Sequence, residues 1–369
     1  MSQYILILVW IGMLAVFAKY VNIRKTELAE GVEVERYHWL FAIIAILPII
    51  LMAGYRNEGL LDTGAYAISF RLAPDTLNEL PDYLSTKSKD QGFYAFLVII
   101  KSFFTQQKQT FLLIVAAIQG IFICFFYRKY SPRYIFSLFL FVASTDYIAW
   151  MFNGIRQFLA VTIIVFATPL LLKKKYIPLI LIILFASTFH QSALIMLPII
   201  FLVQGEAWNK RTIIFIVIIL LAIFFIGNFT TFLNDALADT QYKNVVSDYQ
   251  SSGDNGTNPI RVLVYSVPTI LAFIYRKRIK EKTNMLLKIC INMSIVSTGL
   301  YIVSMFTSGI FMGRLPIYVS LYNYILLPYE IDIIFDGKEQ RYRTIMYIVT
   351  CLFYLAFYYY QMHFISGLI

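Results

Sequence analysis

The 369-residue chain is 59% hydrophobic and 14% charged, with a mean hydropathy of +0.70. A soluble domain carries about 25% charged residues, so this composition is that of a polytopic membrane protein. The net charge of +10 does not argue for nucleic acid, because it resides in loops that fall on one side of a bilayer.

A membrane span takes about 20 mostly apolar residues, with a range of roughly 17–25. Met1-Ser2-Gln3 supplies no basic n-region and the first apolar run has no clear cleavage site, so 4–20 is read as a retained first span. Further spans are predicted at 39–53, 110–127, 134–150, 155–172, 176–189, 192–203, 212–228, 260–275, 285–306, 311–329 and 344–363. The basic loops 19–38, 128–133, 173–175, 204–211, 276–283 and 331–343 then share one face, taken as cytoplasmic, and both termini fall outside. Of 31 Lys and Arg, 20 lie on that face and 10 on the other, while Lys288 sits inside a span.

The apolar run 92–104 is too short to cross and suits a re-entrant or interfacial segment. If it crossed, Arg128, Lys129, Arg133 and the lysines 173–175 would turn outward, against the charge rule. Residues 54–109 are therefore placed wholly outside as one extracytoplasmic loop, and 229–259 as a second. The pair 176–189 and 192–203 is short and interrupted by Pro178 and Pro198, as broken helices buried in protein or lining a wet cavity can be. The expectation is a single all-α integral membrane domain over 1–369, with about 12 transmembrane helices and one re-entrant or interfacial segment. Cys124, Cys290 and Cys351 lie in apolar runs without pair spacing and indicate neither a disulfide nor a metal site.

Four constellations could carry chemistry at the outer face. Arg56 stands just past a span end, with Asp62 and Tyr66 after it. Such an Arg could bind phosphate while the carboxylate orients a hydroxyl, or the two charges could be interfacial anchors paired with each other. Asn153, Arg156 and Gln157 share one face on a continuous helix. Three polar groups there should line a cavity, unless they form a helix-packing hydrogen-bond cluster. His190, before Gln191-Ser192, is a catalyst or a helix-end packing residue, and with His38 and His363 placed elsewhere no metal site is indicated. Arg261 and Arg314 lie about one turn into spans from their outer ends and require a counter-charge, which a lipid diphosphate would supply through bidentate hydrogen bonds.

At these residues the chain resembles the EpsG/Wzy-like family of bacterial polysaccharide polymerases. The resemblance rests on Gly54-x-Arg56 with Asp62 and Tyr66; on Gly92-Phe93; on Asn153-x-x-Arg156-Gln157-x-x-Ala160; on His190-x-Ser192-Ala193; and on Arg314, over about residues 50–320. Where relatives often carry an acidic residue directly before the glycine, this chain has Asp90-Gln91. The resemblance implies a fold related to C-type glycosyltransferases. It also implies a polymerase that moves a growing glycan from undecaprenyl diphosphate onto an incoming lipid-linked repeat unit, for capsule or exopolysaccharide, at the outer face of the bacterial plasma membrane. Arg156 and Arg314 would bind the diphosphate, with Arg56 and Arg261 assisting and Tyr66, Asn153 and Gln157 contacting diphosphate or glycan. The base or acceptor-orienting group would be Asp62 or His190, with Asp62 preferred. No cofactor or metal is expected, and the implied protein partners are a chain-length regulator and a flippase. An O-antigen or polysaccharide ligase would use the same donor. An acyltransferase would want a catalytic histidine with an acyl donor reached from inside, and His190 falls outside. A lipid-linked oligosaccharide flippase or transporter would show internal symmetry and midplane charges, and no such repeat is seen.

Overall fold

A computed structural model describes residues 3–21, 24–29, 32–225, 254–337 and 339–369. The expected outer segment 229–259 lies outside these residues up to 253, as does the end of the span 212–228. The chain divides into two compact units, residues 1–194 with 331–369, and residues 195–330.

The first unit begins with α1 (Gln3–Tyr20), a hairpin of β1 (Arg24–Ala29) and β2 (Val32–Tyr37), and α2 (Trp39–Gly54). The short helices α3 (Thr63–Leu72), α4 (Leu80–Ser85) and α5 (Gln91–Phe103) precede the long α6 (Lys108–Tyr130). Then come α7 (Tyr134–Ala143), a π turn (Tyr147–Asn153), α8 (Ile155–Phe166), α9 (Thr168–Leu172) and α10 (Tyr176–Phe189). The hairpin was not expected in an otherwise helical chain. Its signal is the Val-Glu-Val-Glu alternation of 32–35, and Arg24 pairs with Tyr37 at its open end.

Two contacts fix the direction of α2 against α6. Arg128 stacks over Trp39 at 3.9 Å, and Gln109 donates to the Gly54 carbonyl, so the helices run antiparallel. With 23 residues α6 is about 34 Å long, enough to cross the hydrocarbon core. At the Arg128 end three basic loops meet. Arg36 donates to the Arg128 and Ser131 carbonyls at 3.2 Å, and Arg133 is held between Glu35 at 2.8 Å and Asp332 at 3.0 Å. These are three of the loops that the charge rule assigned to a common face. The other end of α6 carries the polar residues described below. Both ends of α5 belong to that end: Phe93 packs on Tyr66, and Lys101 donates to the Arg71 carbonyl at 2.9 Å.

The second unit holds α11 (Met196–Leu202), α12 (Lys210–Phe224), α13 (Pro259–Ile274), α14 (Arg276–Glu281), α15 (Met285–Met305) and α16 (Ile317–Ser320). Helix α17 (Asn323–Ile334) runs across the junction, and α18 (Gln340–Tyr360) returns to the first unit. Thr269 on α13 lies 2.7 Å from both Ser294 and Thr298 on α15, a hydroxyl ladder that joins the two helices. Lys288, placed inside the span 285–306, is in the first turn of α15 and forms an ion pair with Glu206.

Among the described residues, by length and composition, four helices can cross a membrane: Gln3–Tyr20, Lys108–Tyr130, Met285–Met305 and Gln340–Ile365. Tyr134–Ala143 with Tyr147–Asn153, bent by 73°, makes a fifth broken span. The chain is thus a multi-pass, predominantly helical membrane protein. The expected spans 39–53, 176–189 and 260–275 coincide with the shorter apolar helices Trp39–Gly54, Tyr176–Phe189 and Pro259–Ile274. The expected span 155–172 divides at Ala167, just before Pro169. The expected span 311–329 becomes a 3-10 turn (Met312–Arg314), the four-residue α16 and the start of α17. Such fragments are acceptable at membrane depth only inside protein or along a wet cavity.

Candidate functional site

At the end of the first unit opposite the basic loops, the chain leaves α2 and turns through Arg56–Asp62. Arg56 Nε donates to Thr63 Oγ1 at 2.8 Å, and Nη1 donates to the Ala53 carbonyl. Its guanidinium lies 5.5 Å from the Phe152 ring centroid, and Nη2 has no hydrogen-bond partner. Arg56 is only 6% exposed and no carboxylate among the described residues pairs with it. Burial pushes its pKa down to about 10, and Tyr66 opposes that only in part. The pair with Asp62, the alternative reading, is not formed. Asp62 is exposed at the start of α3, makes no capping hydrogen bond, and sits one turn before Tyr66.

Arg156 is treated differently. On the first turn of α8, its Nη1 donates to Asp90 Oδ2 at 2.7 Å, and its guanidinium stands 5.9 Å from the Phe93 ring. The Tyr66 hydroxyl faces the same guanidinium. Asp90 stands directly before α5 with φ at +54°, a left-handed conformation that Asp tolerates better than most residues, and its side chain makes no capping hydrogen bond. Burial raises its carboxyl, and Arg156, the Gln191 N–H and Lys89 pull it back only in part. Burial likewise raises the Tyr66 phenol against the pull of Arg156. Gly92 makes this geometry possible, because a Cβ there would overlap the Thr188 side chain of α10. Asp90 is the residue that sequence reasoning missed. Its signal was the acid one position early in the Gly-Phe motif.

His190 follows α10 in extended backbone. Its Nδ1 lies 2.7 Å from Ser192 Oγ, which accepts from Gln157 Nε2 at 3.2 Å. Gln157 and Arg156, adjacent on α8, thus reach two different partners: the segment after α10 and the segment before α5. Asn153 does not share their helix face. It ends the π turn, and Gly154 at φ −85° and ψ 45° interrupts the register before α8 begins. Just upstream Thr145 is left-handed, at φ +66°, a costly conformation for a β-branched residue. The break, the π turn and Arg156 therefore lie within a dozen residues, and π distortions concentrate at functional sites.

In the second unit Arg261 donates to the Tyr265 hydroxyl at 3.1 Å from one turn earlier on α13. Arg314 ends the 3-10 turn Met312–Arg314. Asp254, not foreseen as important, holds this corner together. Its carboxylate accepts from Ser308 Oγ at 2.8 Å and from the backbone N–H groups of Gly256, Gly309 and Ile310 at 3.0–3.1 Å. Those bonds outweigh desolvation and hold its pKa below the usual carboxylate value. Gly256 sits at φ +78° against the carbonyls of Ser304 and Met305, where no side chain fits. Thr257 continues the clamp, accepting from Ser304 Oγ at 2.8 Å, directly before α13 begins.

In the first unit three motif segments far apart in sequence therefore converge: residues 56–66, 90–93 and 153–157, with 190–192 alongside. They present one buried cation without a carboxylate, one cation held by a carboxylate, and a histidine–serine–glutamine chain. This is an arrangement for holding an anion beside groups able to orient a hydroxyl. A family profile described as the EpsG family matches residues 39–368. No curated protein and no solved structure matches the chain.

Proposed function

The chain belongs to the EpsG family of polysaccharide polymerases, and from that membership we propose that it elongates an exopolysaccharide or capsular glycan from lipid-linked repeat units. In this reading the growing chain leaves undecaprenyl diphosphate and is transferred to a sugar hydroxyl of the incoming unit, at the outer face of a bacterial plasma membrane. The observation that carries it is the family match across 39–368, within which the motif residues between 54 and 193 gather into one cluster at one end of the first unit. The clustering of basic loops at the opposite end supports the orientation, with both termini outside. A twelve-span fold akin to C-type glycosyltransferases, a flippase and a chain-length regulator belong to the same proposal.

The leaving group is a diphosphate, and its developing charge calls for fixed cations. Arg56 is the best placed, because no carboxylate competes for it. Arg156 already carries Asp90, so a diphosphate would compete with that carboxylate. If it won, Asp90 would lose its cation and hold a proton more tightly. Substrate binding would thus create a proton acceptor beside Tyr66 and Arg156. Asp62, exposed at the start of α3, remains the candidate base or orienting group for the acceptor hydroxyl. His190, bonded through Ser192 to Gln157, would contact the diphosphate, and Arg261 and Arg314 are the diphosphate-binding candidates of the second unit.

The test is the profile of lipid-linked oligosaccharides in cells lacking the protein, complemented with wild type or Arg56→Met. Single repeat units should accumulate on the carrier, and only wild type should restore the ladder of longer chains. Long lipid-linked chains formed without the protein would refute the assignment and favour ligation or transport.

A further inference from the structure

At the end of the first unit opposite this site lies a cavity of about 690 Å³ between α1, α7 and α18. That volume is in the range of sites that hold one small amphiphile. Its lining changes character along its length. Lys19, Arg133 and Arg343 mark one end, where α1 stops and α7 and α18 start. Farther in, the walls are Leu8 and Gly12 of α1, Phe139 of α7 and Leu355 of α18. On α1 the lining runs from Lys19 back to Leu8, and on α18 from Arg343 on to Leu355. At 1.5 Å per residue both stretches are about 16–18 Å deep, polar at the same end and apolar at the other. Arg133 is already held by Glu35 and Asp332. Lys19, by contrast, has no ion-pair partner among the described residues and keeps its charge available. Gly12 leaves open space, since a Cβ there would meet nothing within 4 Å.

We propose that this cavity binds one anionic phospholipid, with its phosphate at Lys19 and Arg343 and an acyl chain along the Gly12 floor. The arrangement has the two halves such a molecule needs. Basic pockets between spanning helices recognise anionic headgroups, and the apolar walls continue the hydrocarbon environment of the tail. The proposal does not depend on the polymerase reading, because it concerns the other end of α6 and is tested by lipid retention.

The experiment is lipid retention by the purified full-length protein in detergent, measured by native mass spectrometry with phosphatidylglycerol, phosphatidylcholine and glycerol 1-phosphate as probes. Wild type should retain one phosphatidylglycerol several-fold better than phosphatidylcholine, and glycerol 1-phosphate should not compete. Lys19→Ala, at an exposed position, should weaken retention about fivefold. Gly12→Phe should abolish it by filling the floor, with the melting temperature in lipid-free detergent unchanged. Equal retention of the two lipids would overturn the proposal. So would displacement by glycerol 1-phosphate, which would mark a free-phosphate site, or retention that neither substitution alters.

Discussion

Arg56→Met separates a functional cation from a structural one. The substitution keeps an unbranched apolar stem about as long as that of arginine and removes the guanidinium with its charge. In the wild type that charge is expensive: a guanidinium held at about 10, below its ordinary range, is a charged form disfavoured by roughly 3 kcal/mol. The penalty is fully present below pH ~10 and is relieved only as the group loses its proton above that. Methionine leaves little behind that is unsatisfied. Thr63 Oγ1 keeps its own bond to the Leu60 carbonyl at 2.6 Å, so the lost partner that matters is the one at the Ala53 carbonyl, about 1 kcal/mol. The balance is a variant as stable as wild type or more stable by about 1–2 kcal/mol. Its activity should nevertheless fall about 10²–10³-fold, the usual cost of losing one charged contact at a developing anion. The assays are melting temperature of the purified protein and the lipid-linked oligosaccharide ladder in complemented cells. A Met variant that melts well below wild type would mean that Arg56 is a structural residue, and a near-normal ladder would remove it from the diphosphate site.

Arg156 should behave in the opposite way. Arg156→Ala leaves the Asp90 carboxylate buried without its cation and should destabilise by about 3–5 kcal/mol, while Arg156→Met with Asp90→Leu should regain most of that stability but no activity, as paired melting curves and ladders would show. Arg156→Lys should retain the ion pair but lose bidentate geometry, so the protein should melt near wild type and polymerise poorly. Ser192→Ala breaks the link between Gln157 and His190 and should lower activity with little change in melting temperature; loss of folded protein instead would mean that the link is structural. Asp254→Asn places an amide donor among three N–H groups, so hydrogen exchange at Gly309 and Ile310 should speed up at least tenfold. In the wild type the clamp, which depends on a lowered carboxyl pKa, should hold above the ordinary carboxylate value and weaken only as pH falls below it.

Much of this was legible in the residues, and what was not shares a cause. Helix α6 is read directly, because a long apolar run closing on Arg128-Lys129 marks its extent. The bend between α7 and the π turn is not, since Ser144-Thr145 contains neither proline nor glycine and Thr145 is held left-handed by its surroundings. Asn153 was assigned to the Arg156 face by helical periodicity, and the register fails at Gly154, one residue before α8 begins. Asp90 lies 66 residues from Arg156, a separation at which local pattern says nothing about pairing.

The same distinction bears on how misplaced charge is interpreted in a membrane protein. Sequence shows which cations stand where a bilayer makes them costly, here Arg56, Arg156, Arg261 and Arg314. It does not show which have been neutralised, and nearness in the chain misleads. Asp62 lies six residues from Arg56 and does not pair with it, because Thr63 and the Ala53 carbonyl take the guanidinium. A cation with a carboxylate partner is explained by the fold that supplies the partner. A buried cation without one is a standing cost to stability, and such a cost is expected where function requires it. By that criterion Arg56 is a stronger diphosphate-binding candidate than Arg156, which reverses the weight that motif position alone assigns to the two.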